Sequence, residues 1–554
     1  MQKPTELNLK MLLLAFVTAS VMACGGGGGG VDGGGGDSTS PAVEEPAPEA
    51  PAEEPAPEIP AEPTELWTWM SGSTELDAPA SYGEKGITAA TNVPGSRSFS
   101  ISWTDSDNNL WLFGGSYWIS STRYDLNDLW KFDGTHWTWV KGADIPGQAA
   151  VYAEQGVATA ENTPGTLYNT VHWQDSAGNL WLFGGTTSNS SYFNTLWKFD
   201  GTNWTWIGGS QSENNIGDFG SMGVTAATNM PSARRDSLSW IDSQDNLWLM
   251  GGYGYGAGGT LGRLNDLWKF DGTHWIWIRG ASDVNQKTMY DEQEPSINTP
   301  GVRQLSASWI DAADNLWLFG GDGRAVGGAN GDLNDLWKFD GSNWIWVSGD
   351  LSINNSDVHG TKGVADAANK PGARTDALGW SDNAGNVWIY AGITGRLPYN
   401  DLWTFDGTHW TWMAGEDFTE ADGVYGERGV PAAGNSPGAR EYHTTWFDGA
   451  GNLWLFGGLG WDGNSNYDVL NDLWKFDGKH WVWVSGYTAF DYSPDGPPAS
   501  DFGTQGVAAE TNIPRHAEDR INWVDNNGNF WLFGGTGYVV NTSGFLSDLW
   551  RYQP

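Results

Sequence analysis

The chain has 554 residues, and its 28 Lys+Arg against 67 Asp+Glu leave a formal charge of −39. That length exceeds one ordinary domain unless the fold is a barrel or a ring, and the acidity excludes nucleic acid and anionic lipid as main partners. A single Cys excludes an intrachain disulfide and a Cys-rich metal site, while 37 Trp and 78 Gly argue for a large aromatic core and against a mostly helical body.

Lys3 and Lys10 precede the apolar run Met11 to Val17, followed by small residues up to Val21-Met22-Ala23-Cys24. A charged start, a short apolar stretch and a small residue before the cut read as a secretory signal over 1–23, too short to span a bilayer. The Val-x-Ala-Cys tetrapeptide resembles a bacterial lipobox. That resemblance implies a lipidated Cys24, a lipid anchor as the one membrane attachment, and, with Gly25 rather than Asp next, the outer membrane of a bacterial cell envelope. An ordinary secretion signal with an incidental Cys is the alternative. Residues 24–63 are rich in Gly, then in Pro and Glu. They have too few large apolar residues for a core and read as an extended tether.

From residue 64 a unit repeats. Gly-Gly pairs end an apolar run at Gly114, Gly184, Gly251, Gly320, Gly457 and Gly534, with Ala391-Gly392 as a variant, so the period is about 70 residues. In the first unit the pattern predicts four strands, Ser98–Trp103, Leu110–Gly114, Leu129–Phe132 and Trp137–Val140. The turn Asp105 to Asn109 joins the first two, and the Asp133-Gly134 hairpin signal joins the last two. Five Trp per unit account for 35 of the 37, leaving Trp118 and Trp461 in loops. One small sheet cannot cover two aromatic faces, so each unit needs a neighbour on either side, and closing the row into a ring removes bare ends. The seventh unit stops after its third strand at Pro554, while a spare fourth strand, Glu65 to Met70, precedes the first unit. The N-terminal segment is therefore expected to complete the last blade.

Leu-Trp-Leu-Phe-Gly-Gly at 110–115, Asn-Asp-Leu-Trp-Lys-Phe-Asp at 127–133 and the following Trp137 resemble the landmarks of the kelch-type, galactose-oxidase-like β-propellers. The resemblance implies an all-β, seven-bladed β-propeller of four-stranded antiparallel blades over 64–554. The period departs from the ~50 residues of kelch repeats. The extra length lies largely in a repeated connector such as Tyr82 to Gly95.

In such a ring the turns joining strands one to two and three to four share a face, and here they are short and uniform. The opposite face carries the long connectors and the loops between strands two and three, and variable loops on a rigid scaffold are where binding is expected. An Arg recurs there at the start of strand one: Arg97, Arg234, Arg303, Arg374 and Arg440, with Leu167 and Ala517 in blades two and seven. These could form a cationic rim that binds carboxylates. Alternatively each pairs with a local carboxylate such as Asp236, Asp376 or Glu441, or with backbone carbonyls. An aromatic about 15 residues earlier (Tyr82, Tyr152, Phe219, Tyr425, Phe502; His359 and Tyr290 in the other two) is either a platform for sugars or a pin holding the connector to its blade. Blade-specific departures are better site candidates: Arg440, Glu441, Tyr442 and His443 in blade six, and His516, Glu518, Asp519 and Arg520 in the adjacent blade seven.

Catalytic signatures are missing from the sequence: there is no Ser-His-Asp spacing, Walker loop or dinucleotide fingerprint. His136, His274, His409 and His480 share one turn position with Asn203 and Asn343, which does not suit metal ligation. The galactose-oxidase resemblance would imply a copper radical site with a Tyr cross-linked to a Cys, but Cys24 lies outside the body. Asp105, Asp175, Asp242, Asp311, Asp382, Asp448 and Asp525 either cap turns or hold Ca²⁺, and the loop 461–468 is a further Ca²⁺ alternative; no cofactor is otherwise expected. The reading that follows is a monomeric, non-catalytic binding or scaffold protein at the cell envelope, engaging a polysaccharide or protein through the connector face. A carbohydrate-active enzyme resembling the kelch-like sugar-acid mutarotases, with Arg440, Glu441 and His443 as its test residues, is the alternative. Structural display without a small ligand is a third.

Overall fold

The computed structural model describes residues 65–119, 122–489, 502–539 and 542–554. The signal, Cys24 and the tether lie outside the described residues. Seven four-stranded antiparallel sheets follow one another. In the first blade the strands are Ile101–Thr104, Leu110–Phe113, Leu129–Phe132 and Trp137–Lys141, in that spatial order. The seventh takes Ile521–Val524, Phe530–Phe533 and Leu549–Tyr552 from the end of the chain and Trp67–Ser71 from its start. Trp67 faces Tyr552 and Trp69 faces Trp550 across that last seam, so the expected clasp is present.

Large aromatics favour these strands because a pleated, two-sided surface accommodates them. Paired Trp residues sit opposite one another on strands one and two, as in Trp103 with Trp111, whose rings stack at 5.4 Å. Buried side chains group into clusters that each draw on two adjoining blades. Trp531 and Phe533 of blade seven pack with Leu110 and Trp137 of blade one, so the core runs unbroken around the ring. Burying one aromatic of 150–250 Å² is worth roughly 4–6 kcal/mol of gross transfer free energy.

Two glycines end strand two because the chain turns there in a left-handed conformation: Gly114 has φ 64° and Gly115 φ 93°. A Cβ on Gly115 would lie 2.8 Å from the Ser98 carbonyl oxygen. Ala391 adopts φ 53° at the variant position, which a small side chain tolerates.

The expected strand Ser98–Trp103 is broken. Ser98 bridges to Ser116 on the hairpin, Phe99 has φ 58°, and the regular strand starts at Ile101. In blade three the same break separates Arg234–Arg235, paired with Gly254 and Tyr253, from Leu238–Ile241, paired with Met250 to Leu247. Each innermost strand thus carries a short extension that runs up beside the hairpin between strands two and three.

The long connectors are edge guards. Gly86 donates to the Trp139 carbonyl at 2.7 Å, and Asn92 Nδ2 donates to the Trp137 carbonyl at 3.1 Å. Gly156, Gly223, Gly363, Gly429 and Gly506 repeat the first bond on Trp206, Trp277, Trp412, Trp483 and Trp69. The residues beyond a kelch-length repeat therefore cover the outermost strand, whose unpaired backbone would otherwise invite another chain.

Candidate functional site

The recurrent arginines point into the blade. Arg97 donates through Nη1 and Nη2 to the two carboxylate oxygens of Asp128 at 2.7 and 2.8 Å, and through Nε to the Gly95 carbonyl at 3.0 Å. Arg234 with Asp266, Arg303 with Asp335, Arg374 with Asp401 and Arg440 with Asp472 repeat the pair, and every one of these side chains is at most 1% exposed. Each Asp also accepts the indole N–H two residues on, as from Trp130 at 2.7 Å. The expected cationic rim of Arg97, Arg234, Arg303, Arg374 and Arg440 is therefore corrected. Their main carboxylate partners are not Asp236, Asp376 or Glu441 but the Asp of the Asn-Asp-Leu-Trp motif, some thirty residues on; Arg374 also meets Asp357 at 3.0 Å, and backbone carbonyls such as those of Gly95 and Gly114 accept the remaining donors, as the alternative expected. In blade seven Arg520, not a residue at the Ala517 position, bonds Asp548 at 3.1 Å.

The repeated aromatics are pins, not open platforms for sugars. Tyr82 packs on Trp130 and Trp139 with centroids at 5.1 and 4.8 Å, and its hydroxyl donates to Asp128. Tyr152, Phe219, Tyr290, His359, Tyr425 and Phe502 each meet the matching two Trp rings of their own blades.

The turn aspartates are engaged by donors. Asp105 accepts from the Asn109 backbone and side-chain amides and from Trp111 Nε1, the last at 2.7 Å. The other six turns accept the equivalent indole at 2.8–3.0 Å. In the loop 461–468, Asp462 accepts from the Asn464 and Asn466 amides. These carboxylates therefore act as turn caps, engaged by the N–H donors of their own turns. Among the described residues no group of three His, Cys, Asp or Glu is arranged to hold a metal.

What remains is the break in each innermost strand. Its left-handed residue recurs in all seven blades: Phe99, Asn169, Asp236, Leu305, Asp376, Tyr442 and Asp519, with φ between 54° and 64°. The Asp376 amide donates to the Leu305 carbonyl at 2.9 Å, and those of Asp236 and Asp519 reach Asn169 and Tyr442 in the same way. The seven positions form a girdle about the axis. Asn and Asp tolerate this conformation, whereas Phe, Leu and Tyr cost about 1–2 kcal/mol there, and such strain concentrates at functional places.

The girdle is chemically lopsided. Asp236 is buried but has Arg235 at 2.5 Å. Over blades five to seven, Asp376, Glu441, Glu518 and Asp519 converge, and none of them is ion-paired among the described residues. Burial, then Glu441 and Asp332, push Asp376 up to about 7. Burial and Glu441 push Glu518 up to about 7, and burial with Glu518 and Glu441 pushes Asp519 up to about 8. Glu441 is raised by burial and accepts the Tyr467 hydroxyl at 2.7 Å. Tyr442 lies among all four carboxylates, and Tyr538 is pushed up to about 12 by burial and by Glu518, Asp468 and Asp519.

Of the sequence candidates, Glu441 belongs to this mouth and Arg440 does not. His443 is half-buried, pressed down to about 3 by burial and the Arg440 charge, with its ring 5.8 Å from Tyr390. Both causes favour the neutral imidazole. Glu518 and Asp519 do come together with Glu441, as the adjacency of blades six and seven suggested. Asp376 and Tyr538 were missed as site residues. Placing the seven units in register shows Asp376, Tyr442 and Asp519 at one position, a legible signal, whereas nothing local marks Tyr538.

No protein-family model matches the chain. Kelch domain-containing protein 1 of Mus musculus is 27% identical over 183 residues, which is 32% of this chain and 40% of that protein. A copper-complexed fungal alcohol oxidase of the AA5 family shares 12% identity with a TM-score of 0.44, over 86% of this chain and 77% of its own. With seven antiparallel four-stranded blades and a strand from the start of the chain closing the ring, the protein is an all-β propeller, and over part of its length it is similar to a kelch domain-containing protein.

Proposed function

We propose that this protein is a non-catalytic binding protein of a bacterial cell envelope, lipid-anchored through Cys24, that engages a protein or polysaccharide through the hairpin-bearing face at the mouth of its axis. The observation that carries the reading is the convergence of Asp376, Glu441, Tyr442, Glu518 and Asp519 from three successive blades onto one girdle. These groups sit on strand starts held by the buried Arg–Asp pairs, so the surface is preorganised. Elsewhere on this face the repeated residues are consumed by the blades themselves.

A carbohydrate-active enzyme is favoured by one observation, carboxyl groups raised toward neutrality in one place, a pattern common at catalytic sites. A sugar-acid substrate fits poorly, because its anion would meet four carboxylates while Arg97, Arg234, Arg303, Arg374 and Arg440 are sealed.

The test is a protein and glycan array probed with the full chain and with a Glu441→Gln/Glu518→Gln variant. A partner lost in the variant supports the reading. Turnover of a bound glycan, or partners indifferent to the variant, would replace it.

A further inference from the structure

The acidic mouth has a feature that charge alone does not provide. Glu518 is 8% exposed, yet its carboxyl group accepts no hydrogen bond and meets no cation among the described residues. Its neighbours are Glu441, Asp519, Tyr442, Tyr467 and Tyr538, reached from the starts of two innermost strands and from two hairpins. A buried carboxyl without a partner is costly. It persists where the surrounding structure holds it for another purpose, and here the left-handed Tyr442 and Asp519 fix the backbone on either side of the seam. The strain and a carboxyl group without a protein partner coincide in blades six and seven.

The chemistry selects the ligand class. Carboxylate oxygens without donors ask for N–H groups carrying positive charge. Tyrosine rings beside them favour an organic cation, whose charge they meet through the π face. The absence of a three-ligand metal cluster among the described residues points the same way. Resting on the binding reading above, we propose that the mouth formed by Asp376, Glu441, Tyr442, Glu518 and Asp519 is a site for an alkylammonium or guanidinium group, delivered as a free polyamine or as a Lys or Arg side chain of a basic peptide.

The experiment is isothermal titration of the full chain with spermidine in one arm and with a short Lys- and Arg-containing peptide in the other, at low salt and pH 8. Saturable binding in either arm is expected, and the arm with the lower Kd identifies the source. Glu518→Gln and Asp519→Asn should each raise that Kd at least tenfold, while Asp107→Asn, in a turn on the opposite face, leaves it unchanged. Glu441→Gln serves as a further variant if either of the first two fails to give the native melting profile. Equal weakening by Asp107→Asn would mean diffuse charge attraction and overturn the site, as would no saturable binding in both arms, or Ca²⁺ binding that both cations fail to displace. If the array instead yields a neutral partner sensitive to Glu441→Gln/Glu518→Gln, the binding reading stands and the cation assignment falls.

Discussion

Arg97 grips both oxygens of Asp128, and in blade two Leu167 and Thr195 hold the same two positions. The ion pair is thus dropped as a unit where it is dropped at all. This is the expected behaviour of a fully buried pair: an apolar and a small polar residue can replace both partners together, whereas removing one leaves an uncompensated charge.

Arg303→Leu, which strands Asp335, should therefore cost roughly 3–5 kcal/mol. The double variant Arg303→Leu/Asp335→Thr, copying blade two, should recover at least half of that loss. Urea unfolding of the three proteins measures it, and a double variant as unstable as the single would show that the pair is not exchanged as a unit.

The clasp yields a second expectation. Trp67 is 2% exposed and packs on Phe456 of blade six as well as Tyr552. Trp67→Ala should cost roughly 3–5 kcal/mol. Removal of residues 65–71 should leave blade seven open and raise hydrogen exchange along 549–552.

The raised carboxyls give a pH dependence with a definite sign. Asp519 lies at about 8 in the folded chain against 3.8 as an ordinary carboxyl. Its contribution to stability is complete below the ordinary value and is lost as pH rises through 8. Asp376 and Glu518, at about 7, act alike. Asp401, held down to about 2 beside Arg374, acts oppositely: its contribution is present above the ordinary value and lost as pH falls toward 2. Calorimetry should show the wild-type Tm falling between about pH 4 and pH 8 and levelling above, and Asp519→Asn should flatten that fall. An unchanged slope would contradict the placement of Asp519.

Edge protection by the connectors predicts a local effect. Asn92 is 2% exposed and its amide spans the Ile87 and Trp137 carbonyls. Asn92→Ala should cost about 1–3 kcal/mol and raise hydrogen exchange in 137–141 while blade four is unaffected.

The girdle shows where sequence reading stops. Asp376, Tyr442 and Asp519 share a repeat position, so their equivalence is legible. That this position is left-handed is not, because Phe99 and Leu305 hold it too and neither residue type announces that conformation. The fate of the arginines was equally hidden. Arg97 at the mouth of a channel strand fits a rim as well as a buried pair, and its partner Asp128 sits 31 residues on, just before the third strand.

The sequence by itself determined the ring: alternating aromatics, Asp-Gly turns and the Gly-Gly landmark are local signals, and a period repeated seven times with one displaced strand leaves little choice of closure. Tertiary structure alone decided what each repeated polar residue touches. The direction of a guanidinium, the edge that a connector covers and the meeting of carboxylates from blades five to seven depend on side-chain geometry across strands and blades. The spacing of residues along one chain does not contain that information.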